Sequence, residues 1–477
     1  MESVCIRIVL ILPCLLAAVC NINADKVFIR DINTDFSIFS YSNFEILLSV
    51  HKDAISKGCE IDYSGVDTIK LDIPKTAKSI PLPNIIDFKN TVFVVNNEQK
   101  DLSLFTLSHE LKSIDISSER LNRLDFSDIK EFYGKKVILV IQDENPWIKE
   151  RKGYGTPHIR RDILIVNKGK AENTPIQPYR QDTSKPIVSY RDVTEEQIKI
   201  QNLKMFRTHQ SNYNTRCLKI ENSNDIEVKN IYINTPPSNL YGDAVLTFNN
   251  CANLILEDVR IEGTYSQPSK FGYGINMNNV YDSRFVNLYG VGEWGIFGTA
   301  NINTVSIEDS DVNRFDIHCY GKNVACRNTL FRDLYNQFSS FYGTLKFDHC
   351  KFIHSVPVLI EGSYSAYTQF DIDFKDCIVE VDSKRPYLIN MGKSTFIIDS
   401  IRPELKKIEW PNLNIRNLTI DCSSDIPDFY LYHTSSKMKI DLDSQLKVQM
   451  RNIKCQELRI QLSNSILYFE KSQIGLD

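Results

Sequence analysis

Five residues near the middle of the chain, Asp316-Ile317-His318-Cys319-Tyr320, put a carboxylate, an imidazole and a phenol on alternate positions. In an extended strand, side chains two residues apart leave the same face. Asp316, His318 and Tyr320 are therefore expected to project together from an outer face, with Phe315, Ile317 and Cys319 pointing into a core. The three offer proton donors and acceptors within reach of one bound molecule. An acidic pair such as Asp316 and Glu293 suits glycoside hydrolysis. His318 or Tyr320 as base, with Arg314 neutralising a carboxylate, suits β-elimination. The competing account is a satisfied surface pair, because a lone Asp-x-His is a weak motif.

The elements that would position these groups show in a short repeat. An apolar residue, any residue, Asn or Asp, an apolar or small residue, any residue and an apolar residue recur as Ile200–Met205, Val228–Ile233 and Leu256–Ile261, and continue from Phe285. The polar marker falls at Asn202, Asn230, Asp258, Asn287, Asp309, Asn328, His349, Asp376, Asn417 and Asn452, at intervals of 28, 28, 29, 22, 19, 21, 27, 41 and 35 residues. Alternating apolar and polar residues mark half-buried strands, and units of this length that stack on their neighbours make a solenoid. Asn and Asp tolerate left-handed backbone and bond the nearby backbone, so the marker is expected at a bend, stacked rung on rung as a ladder. That register makes Asp258, Asp309, Asp376 and His349 turn residues rather than catalytic ones. Cys350 and Cys377 share a column with Ser310 and Thr329, as small core fillers.

The expected fold is thus all-β: a right-handed, single-stranded parallel β-helix of about ten rungs over residues 198–477, looser after about 380, preceded by an N-terminal cap and irregular region over 25–197. The cap includes an amphipathic helix, Phe44 to Lys57, and a rung-like stretch from Phe88. Rung stacking places Glu293, Trp294 and Arg314 on turns beside Asp316, and Asn276 and Asn278 two rungs away. Tyr265, Lys270 and Tyr273 fall on a preceding loop.

A strand, then Asn or Asp, then a strand closing each rung resembles the right-handed parallel β-helices of the pectin-lyase-like superfamily, over roughly residues 198–460. Its members include pectate lyases, polygalacturonases, alginate and chondroitin lyases and phage tailspikes. The resemblance implies a polysaccharide partner, in a groove along the sheet that holds Asp316 to Tyr320. It implies Trp294, Tyr273, Asn276, Asn278, Tyr265 and Lys270 as substrate-binding residues, with Asp316, His318, Tyr320, Glu293 and Arg314 as the catalytic candidates. The polygalacturonase pattern is missing, because the chain has no adjacent Asp-Asp and no Gly-His-Gly. No cofactor is expected: the aspartates that could mark a calcium site belong to the ladder.

Two functions follow as expectations. One is a carbohydrate-active enzyme, lyase or hydrolase, on a complex polysaccharide, acidic ones included; the other is a noncatalytic glycan-binding or adhesin-like surface protein. With 56 Lys+Arg against 60 Asp+Glu the chain is not polycationic, which disfavours nucleic acid as a partner. Arg7, the apolar run Ile8 to Val19 and small Ala24 read as a signal peptide over residues 1–24 and hence secretion, periplasmic or cell-surface residence. The run is too short, and too broken by Pro13, for a stable transmembrane segment. Val19 before Cys20 disfavours a lipid anchor, and export disfavours the tailspike role. Nine cysteines follow residue 24, an odd number with no CxxC, so neither a disulfide framework nor a zinc site is signalled.

Overall fold

The structure, a computed structural model, describes residues 26–461 apart from 100–101, 146–147, 152–157, 209–215, 236–243, 263–272, 292–294, 361–368, 382–386, 392–395, 399–411, 423–428, 435–447 and 455–457. The signal-peptide residues, and Glu293, Trp294, Tyr265 and Lys270, lie outside the described residues.

Helix α1, Tyr41–Lys57, begins where the Ser40 hydroxyl accepts from the Ser42 amide and ends at Gly58 in left-handed backbone (φ 68°). It buries Phe44, Leu47, Leu48 and Ala54 against strand β1, Thr68–Ile73, and its neighbours. Strands β2, Val92–Asn97, and β3, Ser103–Ser108, follow. They pair in parallel with β4, Ile198–Arg207, and β5, Arg216–Asn234. Parallel stacking therefore begins well before residue 198.

It continues through β6, Leu246–Glu262, β7, Ile275–Val291, and β8, Phe297–Glu308, each laid in register on the one before, and then through the short β9, Asp316–Ile317, and β10, Gly321–Arg327, which both lie on β8. The architecture is a parallel β-helix. Its interior is one apolar column, in which Phe297 lies edge-on to Phe285 and Phe315 with ring centres 5.0 and 5.1 Å apart. No helix among the described residues is long and apolar enough to cross a membrane.

The ladder is present. Asn202, Asn230, Asp258, Asn287, Asp309, Asn328, His349 and Asp376 all have φ between 48° and 61°. Asn230 Nδ2 donates to Asn202 Oδ1 and Asn287 Nδ2 to Asp258 Oδ1, each at 2.6 Å. The residue two positions past the ladder-preceding carbonyl closes the turn: Ser310, Thr329, Cys350 and Cys377 each donate back to a carbonyl two residues earlier. These cysteines are free, buried thiols acting as turn caps as well as core filler.

The described residues between 112 and 192 are not irregular. They form a five-stranded antiparallel sheet in the order Lys170–Ala171, Arg161–Asn167, Lys136–Asp143, Pro186–Asp192, Lys112–Ile114. This insert has its own core around Phe126, Phe132, Leu139 and Leu164. It docks on the turns of the helix: the Arg161 amide donates to Asn301 Oδ1 (2.8 Å) and Asn303 Nδ2 to the Thr174 carbonyl (2.9 Å). Behind that contact, Arg160 and Asp162 form a fully buried ion pair, with the Tyr179 hydroxyl on the same carboxylate oxygen (2.5 Å).

One element of the α1 packing carries a pH prediction. His51 is completely buried, with Nδ1 2.8 Å from the Pro81 carbonyl and Nε2 2.7 Å from the Tyr63 hydroxyl. Burial lowers its pKa from 6.5 to about 4, only partly opposed by the Pro81 bond. The unfolded chain binds this proton between those values and the folded chain does not. Stability is therefore full above pH 6.5, falls as pH drops towards 4, and is flat below, a loss of about 3 kcal/mol. Urea unfolding of the native protein and of His51→Asn at pH 7 and 4.5 checks this: the native protein is expected to lose the larger share of its midpoint.

Candidate functional site

Two columns of outward residues run along one sheet of the helix. Lys219, Thr247, Asn276 and Gly298 pair successively, and Asp316 follows Gly298 from the Thr299–Ile317 pairing. Beside them run Glu221, Asn249, Asn278 and Ala300, with His318 next and Ser339 after it. The two-rung separation of Asn276 and Asn278 from Asp316 and His318 is as expected from the spacing.

Asp316 leaves the outer side of β9, yet it is fully buried, because three side chains close over it. The Tyr273 hydroxyl donates to Asp316 Oδ2 (2.8 Å), Arg314 Nη2 donates to the same oxygen, and His318 Nε2 lies 3.2 Å from it. The Tyr273 hydroxyl is also 2.8 Å from His318 Nε2. With the tyrosine proton on Asp316, the tautomer that satisfies this pair is the one that donates from His318 Nε2, which places the lone pair on Nδ1. His318 retains 27% side-chain exposure, against 0% for Asp316 and 5% for Arg314. The imidazole is thus the part of the cluster that meets solvent.

Burial pushes the Asp316 carboxyl up, but the charges of His318 and Arg314 and the hydrogen bonds from His318 and Tyr273 outweigh it and leave it below the usual value. For Arg314, burial opposes the charge, and the Asp316 carboxylate more than restores it. The pair is ionised at neutral pH. Asp316 Oδ1 has no hydrogen-bond partner, so the whole network hangs on Oδ2.

Two glycines make the cluster geometrically feasible. A Cβ on Gly298 would lie 2.3–2.6 Å from the Tyr273 ring, which therefore rests on bare backbone. Gly295, at φ 145°, leaves room for the Arg314 side chain, 2.8 Å from where its Cβ would be. Arg314 is further held with its guanidinium carbon 4.5 Å from the Tyr335 ring centre. Gly298→Ala is expected to displace the Tyr273 ring, breaking its bond to Asp316 while the rungs stay folded. A circular dichroism spectrum and melting curve close to native, with at least about a tenfold loss of any activity that uses the Tyr273–His318 pair, is the expected result.

Four expectations are corrected. Tyr320 does not share the face of Asp316 and His318: its backbone is left-handed (φ 58°), it is buried, and its hydroxyl donates to the His158 carbonyl of the insert at 3.0 Å. The strand ends at Ile317, so alternation fails before Tyr320. Arg314 is committed to Asp316 and cannot turn out towards a ligand carboxylate. Asp316 is an ionised, enclosed carboxylate, the opposite of the raised-pKa acid that glycoside hydrolysis uses. Tyr273, read from sequence as a binding residue, is instead a member of the cluster. Tyr335, which flanks Arg314, carried no signal in the sequence.

Among the described residues one group gathers metal-ligand types, Asp348, His349 and Asp376. It belongs to the ladder region, with Lys375 Nζ 3.2 Å from Asp348 Oδ1 as a counter-charge.

The fold is shared with solved proteins. A tailspike of Pseudomonas phage phi297 aligns with a TM-score of 0.50 at 11% identity, over 90% of this chain and 73% of the tailspike. A tailspike of Acinetobacter baumannii phage AP22, solved with capsular saccharide, aligns with a TM-score of 0.47 at 13% identity, over 88% and 72% of the two chains. An endo-xylogalacturonan hydrolase from Aspergillus tubingensis aligns with a TM-score of 0.33 at 9% identity, over 93% and 96%. No protein-family model and no curated protein matches the chain. By its fold, the chain is a parallel β-helix protein.

Proposed function

We propose that the chain is an exported carbohydrate-active protein that cleaves a uronate-containing polysaccharide by β-elimination on the sheet face around His318. The observation that carries this is the half-exposed imidazole, with Nε2 held by a buried Asp316–Tyr273–Arg314 cluster. A ring fixed from behind by an ionised carboxylate is poised for proton transfer from its other nitrogen. His318 Nδ1 takes the proton on the carbon next to the uronate carboxylate, the neighbouring carbon–oxygen bond breaks as the double bond forms, and solvent protonates the departing oxygen. Hydrolysis by paired carboxylates is disfavoured, because Asp316 is sealed and ionised.

The amide and hydroxyl side chains along the same face, Asn249, Asn276 and Asn278, are half-buried and suit sugar hydroxyls. The leader-like residues 1–24 support export. Polygalacturonate, alginate, hyaluronan and xanthan form a direct panel. Cleavage of at least one, giving an unsaturated product that absorbs in the ultraviolet and has gained no water, is the expected outcome. Products that have gained water would replace elimination with hydrolysis. Binding with no new chain ends would favour the noncatalytic glycan-binding role.

A further inference from the structure

The two outward columns are not equally open on both sides of His318. Towards the N-terminal rungs the His318 column is open throughout, Ala300, Asn278, Asn249 and Glu221 all being partly exposed, while in the Asp316 column Asn276 and Lys219 are partly exposed and Gly298 and Thr247 are buried. On the other side the His318 column closes at its first residue, and the Asp316 column stays closed as far as Asn390, which is partly exposed. Ser339, next in the His318 column, is 0% exposed, Gln337, next in the Asp316 column, is 3%, and Leu359, one rung further, is 8%. Gln337 and Ser339 also bond to each other, Nε2 to Oγ, at 3.3 Å. Among the described residues His318 is therefore the last open position of its column, which extends four strands to Glu221, roughly 19 Å at ~4.8 Å per strand.

Resting on the proposed function, we infer that this face is a blind-ended groove: a polysaccharide lies across the N-terminal rungs and terminates at His318, so that the protein acts at chain ends. Ser339 and Gln337 are covered, so a glycan passing through to the far rungs would have to displace what lies over them. The open run is also electrically neutral. Its ion pair, Lys219 to Glu221 at 2.8 Å, is closed on itself, Asn249 Nδ2 donates to Glu221 Oε1 (3.0 Å), and the remaining positions, Thr247, Asn276, Asn278, Gly298 and Ala300, carry no charge. The sugars lying beyond the reacting unit are accordingly recognised through hydroxyl or amide groups rather than carboxylates, which selects a heteropolysaccharide over a uniform polyuronate.

The test uses the full chain and oligosaccharides prepared from xanthan and hyaluronan, each tagged with the same bulky fluorophore at the reducing end or at the non-reducing end. One tagged form is expected to bind as the untagged sugar does, and the other at least tenfold more weakly. Equal binding of both tagged forms overturns the blind end. If cleavage occurs, one product size from the first minutes, with solution viscosity nearly constant, is expected; an early mixture of sizes with a rapid fall in viscosity overturns it. These outcomes are distinct from failure of the elimination chemistry, since the tag experiment reads binding alone. If no sugar of the panel binds in any form, both the glycan role and the blind groove are wrong. Asn249→Ala is expected to raise KM several-fold for oligosaccharides long enough to reach it while kcat holds, and to leave shorter ones unaffected. A uniform loss at all lengths would instead indicate a structural role.

Discussion

His318→Ala is expected to lower turnover of the cleaved polysaccharide by about 10²–10⁴-fold, the usual contribution of a positioned proton-transfer group. The fold should survive, since the imidazole is 27% exposed and is one of three groups on Asp316 Oδ2. Tyr273→Phe is the discriminating companion. The ring keeps its seat on Gly298, and only the hydroxyl between Asp316 and His318 is lost. About a tenfold fall in kcat, with a changed pH–rate profile, is expected, because the hydroxyl helps fix which nitrogen of His318 carries the proton. Initial rates of unsaturated product across pH check both. If the His318 and Tyr273 variants each keep more than half of the native rate, the site lies elsewhere.

The second large effect is on stability. Asp316→Leu leaves the Arg314 guanidinium, 5% exposed, without its counter-charge, and is expected to cost about 3–5 kcal/mol. Removing both charges, in Arg314→Met with Asp316→Leu, is expected to recover most of that loss, since a buried pair replaced by apolar groups of similar size is often neutral. Urea denaturation of the two variants separates the cost of an orphaned charge from the net worth of the pair. A single-variant loss below about 1 kcal/mol would mean that Arg314 finds another partner or turns to solvent. The pH dependence has a defined sign. The Asp316 carboxyl lies below its ordinary value of 3.8 in the folded chain, so its contribution is complete at neutral pH and is lost only as pH falls below that value. His51 acts earlier on the acid side, between 6.5 and about 4, so the two groups weaken the fold in separate windows.

The β-helix was legible because its signal repeats. A bend that needs φ near 50–60° at every rung selects Asn or Asp again and again, and one chain displays the register without any relative. The register also told which aspartates to set aside. A second column, Asn222, Asn250, Asn279, Asn301, Tyr320 and Ser340, has the same left-handed backbone and the same amide-to-amide bonds, Asn250 to Asn222 at 2.8 Å and Asn279 to Asn250 at 2.9 Å. In the register of those asparagines Tyr320 falls among turn residues and not beside His318. The signal was present, diluted at its far end by Tyr and Ser.

The insert could not be read in this way. An antiparallel sheet made once has no period, and its order brings Lys112–Ile114 against Pro186–Asp192, pairings fixed only when the chain has closed. For the site, the amino-acid sequence by itself determined that Asp316 and His318 leave the same side of one strand and that Asn276 and Asn278 lie two rungs along, because strand alternation and rung length are local properties. Only the tertiary structure decided that Asp316 is sealed and His318 open. That outcome depends on Tyr273, 43 residues earlier, reaching across the bare backbone of Gly298, and on Arg314 folding back over the space left by Gly295. Burial, and with it the ionisation of a carboxylate, is set by what packs above a side chain, which rung spacing does not encode.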